Sequence, residues 1–94
     1  MKKIAIALTL LISTSVHASN YEFCKQIEGF AEEVMAGRQA GVPASDMYRI
    51  TEGNRILTPM VKVAYRRSTY DTEYYRKKAI AEFKDEWFVT CMEE

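Results

Sequence analysis

Apolar residues follow two different patterns along the chain. Over 4–12 they are continuous except for Thr9. From Asn20 onward they return every three or four positions, the spacing of one helix face. Phe23, Ile27, Phe30, Ala31, Val34 and Met35 mark a first amphipathic helix over about 20–39. Gly41 followed by Val42 and Pro43 should stop it. Ser45 is placed to cap a short second helix over 46–50, and Gly53-Asn54 should interrupt that helix. Thr58-Pro59 reads as an N-cap with proline at the first helical position. It opens a third helix with Met60, Val61 and Ala64 turned inward, Tyr65 beside them. After a polar link over 68–71, a fourth helix spans about 72–92. Its stripe is Tyr75 or Ala79, then Ile80, Phe83, Trp87 and Cys91, with Phe88 and Met92 alongside. The expected fold class is all-α: two long antiparallel helices joined by two short ones.

The first pattern belongs to export. Lys2 and Lys3 precede the apolar run, and Val16-His17-Ala18 supplies small or slim residues at −3 and −1 of a cleavage point. This is the layout of a secretory signal peptide over 1–18, cut before Ser19. The run is shorter than the ~20 apolar residues that cross a bilayer. No cysteine ends it, as a lipoprotein would require. The expected mature domain is 19–94, in the periplasm, with no stable membrane insertion after cleavage. Ser19-Asn20-Tyr21-Glu22 fits a capping box for its first helix.

Cleavage changes the charge and the available chemistry. Without Lys2 and Lys3, the 13 basic residues fall to 11 against 13 acidic, a net charge of −2. His17, the single histidine, leaves with the signal. That removes Ser-His-Asp and Cys-His catalysis. Two cysteines, expected to be oxidised, leave too few ligands for a zinc site, and no phosphate loop, EF-hand or dinucleotide fingerprint occurs. The carboxylate pairs Glu28/Glu32 and Glu82/Glu86 read as solvated helix faces. The expectation is a non-enzyme with no cofactor and no metal.

In an oxidising compartment Cys24 and Cys91 should pair, closing nearly the whole domain. A bridge over a loop of this length contributes about 4 kcal/mol in the chain-entropy picture. It also sets a register for two antiparallel helices: Ile27 near Trp87 and Phe88, Ala31 near Phe83, Met35 near Ile80. Trp87, opposite Ile27, should be a core residue.

The densest chemistry lies over 64–78. Tyrosine and arginine are the residue types enriched at binding hot spots. Arg66, Arg67, Tyr70, Tyr74, Arg76 and Lys77 are the candidate partner-binding residues. Arg38, next to Gln39 at the end of the first helix, should lie at the same corner. Arg76, Lys77 and Lys78 stand in the first turns of a helix, where the macrodipole disfavours cations. With acidic residues crowding the bridged end, the molecule should be electrically bipolar. The partner is an unknown protein or an anionic envelope component; nucleic acid is disfavoured by compartment and charge.

The early Cys24, the Arg38-Gln39-Ala40-Gly41 turn and the late Cys91 resemble small exported helical proteins of proteobacteria and their phages. Thr58-Pro59, Phe83-Lys84-Asp85 and Glu86-Trp87 are similar to segments of acid-stress periplasmic chaperones of the HdeA type, whose later cysteine would instead fall near Ala64. The architecture is similar to that of phage periplasmic proteins that inhibit a lysozyme or block superinfection. The Tyr/Arg corner is the main support for a non-enzymatic binding protein; the phage resemblance implies an inhibitor or immunity factor, and the HdeA-type resemblance implies, as the alternative, an acid-stress chaperone.

Overall fold

A computed structural model describes the backbone from Lys2 to Glu94 and side chains from Asn20 onward. The apolar run, the cleavage point and the capping box at Ser19 lie outside the described side chains. The chain is all-helical, in the order α1 (Lys2–Ala40), α2 (Ala44–Ile50), α3 (Leu57–Ala64) and α4 (Glu73–Glu93). Among the described residues no helix is long and apolar enough to cross a membrane.

Cys24 and Cys91 form a disulfide with Cα atoms 5.6 Å apart. α1 packs chiefly on α4, and contacts occur in opposite order along the two helices: Cys24 with Cys91, then Glu32 with Lys84 at 3.0 Å. The expected register holds at Ile27, which shares a surface groove with Trp87. Phe88 instead turns to Tyr21, edge to face at 6.0 Å. Further along, Ile80 borders the same depression as Ala36, while Met35 borders one with Ala79.

The core joins Ile27, Ala31, Val34 and Met35 of α1 to Met47 of α2, Met60, Val61 and Ala64 of α3, and Phe83 of α4. Phe23 and Phe30 are exposed, against expectation. They lie roughly 80–100° round the helix from Ala31, the centre of the buried stripe, so they reach its flank and not the seam. Tyr75 and Met92 are likewise exposed on α4. Trp87 is half-buried at the edge of the core and not inside it; Phe83 holds the interior position and is fully buried.

Two helix starts differ from the sequence reading. Pro43, not Ser45, occupies the N-cap of α2, with no side-chain cap. Thr58 lies inside α3; its hydroxyl donates to the Thr51 carbonyl at 3.1 Å. Ile56 is the N-cap residue of α3, and Asn54 before it supplies the acceptor: its Oδ1 accepts from the Ile56 and Leu57 N–H groups at 2.9 and 2.8 Å. An Asn side chain reaches the free amides of a following turn, which Thr58 inside the helix cannot.

α1 ends as expected. Gly41 has φ +87°, a left-handed conformation suited to glycine. Its N–H donates to the Arg38 carbonyl, and the Val42 N–H donates to that of Gly37. This is the Schellman pattern. Gly37 continues the helix and serves packing, because a Cβ there would collide with the Met47 side chain. α2 thereby folds back closely on the end of α1. That turn places Arg38 and Gln39 against the segment leaving α3.

Candidate functional site

The link between α3 and α4 is held from both sides. Arg38 donates through Nε and Nη2 to the Arg67 carbonyl at 3.1 and 2.8 Å. Gln39, buried, donates through Nε2 to the Ser68 carbonyl at 2.8 Å and accepts at Oε1 from the Tyr70 N–H at 3.0 Å. From the other side, Arg76 Nε donates to the Tyr70 carbonyl at 2.7 Å. A link with no helical ladder of its own thus has its backbone groups matched by side chains.

This accounts for two of the three cations early in α4. Arg76 is committed to the link, and Lys77 pairs with Glu73 one turn earlier at 3.3 Å. Glu73 occupies the first turn, where its charge suits the dipole. Thr72 caps the helix by accepting from the Tyr75 N–H at 3.4 Å.

Beside the clamped link lies a cleft of about 430 Å³. Met35 and Ala79 form its apolar floor. Tyr70, Tyr75 and Ser68 stand along it, and Arg66, Arg67, Lys78 and Glu82 supply charge. Three cations face one carboxylate. Arg67 is already occupied: its guanidinium pairs with Glu86 at 2.9 Å and lies over the Phe83 ring at 5.5 Å. Arg66 and Lys78 have no ion-pair partner among the described residues. The Tyr70 and Tyr75 rings lie 6.0 Å apart, and Tyr74 meets Tyr75 edge to face at 5.1 Å. The three tyrosines make an exposed aromatic strip leading out of the cleft.

The structure therefore divides the seven candidate residues. Arg66, Arg67 and Tyr70 line the cleft, and Tyr74 extends it through Tyr75. Arg38 and Arg76 hold its wall and do not face it; Arg38 also lies over the Tyr65 ring at 5.2 Å. Lys77 borders a separate depression with Glu32, Ala36 and Lys84. Tyr75, Lys78, Glu82 and Ser68 are cleft residues that the sequence reading did not select. Tyr75, Lys78 and Glu82 share one face of α4 at i, i+3 and i+7, a signal hidden by assigning Tyr75 to the core stripe. Glu86 reaches the basic corner by pairing with Arg67.

No family model, curated protein or solved structure matches this chain.

A second groove, about 250 Å³, lies near the disulfide among Phe23, Ile27, Ile56, Pro59 and Trp87. It is mainly apolar, with Arg55 and Glu94 at its edge. Tyr65 closes the back of the corner by donating its hydroxyl to the Val42 carbonyl at 2.7 Å. Burial pushes the Tyr65 pKa above its ordinary value; Arg38 opposes that shift and Asp46 adds to it.

Proposed function

We propose that the protein is a non-enzymatic binding protein, exported to the periplasm through a cleaved signal peptide (1–18), that recognises an anionic partner through the α3–α4 cleft. The working form is then 19–94, with two long antiparallel helices, about 20–39 and 72–92, tied at one end. The Cys24–Cys91 bridge supports an oxidising compartment.

The observation that carries the reading is the state of Arg66 and Lys78. Both stand at one cleft, unpaired among the described residues, beside half-exposed tyrosines. Arg67, Arg76 and Lys84 are each bound to a partner; what sets Arg66 and Lys78 apart from other cations unpaired among the described residues, such as Arg55 and Lys62, is the cleft they share with Tyr70 and Tyr75. An unpaired cation attracts an anion over long range and holds it at short range through charge-assisted hydrogen bonds. Such a protein acts by occupying its partner, as an inhibitor or immunity factor does.

The test is capture from periplasmic extract by the oxidised protein and by the R66E/K78E variant. Capture should be salt-sensitive and lost in the variant, while the circular dichroism spectrum stays unchanged. Equal capture by the variant, with the same salt dependence, would refute the assignment.

A further inference from the structure

We infer that the cleft takes a saccharide carrying an anionic substituent, a phosphate or a carboxylate. The inference rests on the binding reading above and narrows its ligand.

Four features combine. Arg66 and Lys78 supply the charge for an anion, and a guanidinium offers a planar fork that matches phosphate and carboxylate oxygens alike. Glu82 stands in the same cleft, where it weakens the attraction for a bare anion. With a ligand that also brings hydrogen-bond donors, as sugar hydroxyls do, the carboxylate contributes an acceptor instead of only opposing the anion. Tyr70 and Tyr75 present half-exposed rings whose electron-rich faces suit the C–H-lined face of a pyranose.

The fourth feature is shape. A volume of about 430 Å³ lies low in the usual range for small-ligand sites, about 300–1,000 Å³, and holds one or two sugar rings. A protein partner needs a broader contact, about 800 Å² on each side. The wall is also fixed in advance. Arg38, Gln39 and Arg76 hold the 67–70 backbone, so little ordering remains to oppose a small ligand.

The experiment is a nuclear magnetic resonance titration of the oxidised protein. The anionic sugars are glucose 6-phosphate and glucuronate, which separate the phosphate source from the carboxylate source. Glucose, inorganic phosphate and a tetra-aspartate peptide are the controls. At least one anionic sugar should bind about tenfold or more tightly than every control. Its shifts should centre on the Tyr70, Tyr75 and Glu82 amides. R66Q or K78Q should weaken that binding about tenfold. E82Q and Y75A should weaken the sugar while leaving inorganic phosphate unchanged or tighter.

If inorganic phosphate or the peptide binds as tightly as both sugars, and R66Q still weakens it, the saccharide inference falls and the anion site stands. If neither sugar binds, the inference falls as well. If R66E/K78E in addition leaves capture from extract unaltered, the binding reading falls with it.

Discussion

The Gln39 carboxamide oxygen accepts from the Tyr70 N–H at 3.0 Å, across 31 positions of sequence. The same side chain donates to the Ser68 carbonyl. A buried residue of α1 thus bonds both ends of the Ser68–Tyr70 stretch that walls the cleft, with Arg38 and Arg76 holding its flanks.

Gln39→Leu keeps much of the side-chain bulk and removes both bonds. It should destabilise the protein by about 1–3 kcal/mol, the usual cost of stranding partly buried polar groups. Urea denaturation measures the loss. Hydrogen exchange at the Tyr70 amide should accelerate more than at Phe83. Equal acceleration at both would show that the bond has only a global effect.

Arg67 does two things at once, and its substitutions separate them. Glu86→Gln removes an exposed ion pair and should cost under about 1 kcal/mol. Arg67→Ala also uncovers the Phe83 ring and should cost about 1–2 kcal/mol. The difference should persist in high salt, which screens the pair but not the packing. If salt abolishes it, the contribution of Arg67 is ionic alone.

Reduction of Cys24–Cys91 should lower the melting temperature by roughly 15–30 °C. That range combines about 4 kcal/mol for a loop closed over this distance with the sensitivity of a small domain. Differential scanning calorimetry with and without dithiothreitol measures it. A fall of only a few degrees would contradict the staple role.

The single tryptophan reports on the core's edge. Trp87 lies between the apolar groove and a shallow depression with Val63, Glu86 and Thr90. Acrylamide should quench it to an intermediate degree. Phe83→Ala should cost about 3–5 kcal/mol and Trp87→Ala clearly less. Equal costs would place Trp87 in the interior.

Two raised pKa values point to alkaline loosening. The Tyr65 hydroxyl stays protonated above its ordinary value of 10.0 because burial disfavours the phenolate. The Lys84 ammonium is raised above 10.5 by its hydrogen bond and charge pairing with Glu32. Both groups hold protons in the folded state that the unfolded chain has begun to release. Their contribution is therefore complete below about pH 10 and declines as pH rises through the folded values. Tyr65→Phe should flatten the Tyr65 part of that decline in urea titrations between pH 9 and 11, a window set by the ordinary tyrosine and lysine values. An identical pH profile for the variant would exclude Tyr65 as a contributor.

Much of the fold was legible because two independent signals agree. Helical spacing places Cys24, Ile27 and Ala31 on one face and Phe83, Trp87 and Cys91 on another, and the cysteines join those faces. Apolar identity did not reveal the centre of each stripe. Phe23 and Phe30 look like core residues, yet the smaller Ala31 and Cys24 occupy the seam, where close approach of helices selects small side chains. Thr58-Pro59 carries the local signature of a helix start, but Asn54 offers a longer reach to the exposed amides and supplies the acceptor. The site was legible as a composition, Tyr and Arg over 64–78. Its geometry was not: long side chains such as Arg67 and Arg76 choose partners by reach, across 19 and 6 positions, and spacing carries no trace of that choice.

The bridge also determines how this molecule bears load. Cys24 and Cys91 are held together by a covalent bond, with the 67-position span between them closed into a ring. Tension applied through the segments before Cys24 and after Cys91 passes straight across the two sulfurs. Neither the core nor the clamped link at the far end of the ring lies in the line of force. A cleft carried there keeps its shape under a pull that would unzip an unbridged helical pair, until a thiol cuts the bond.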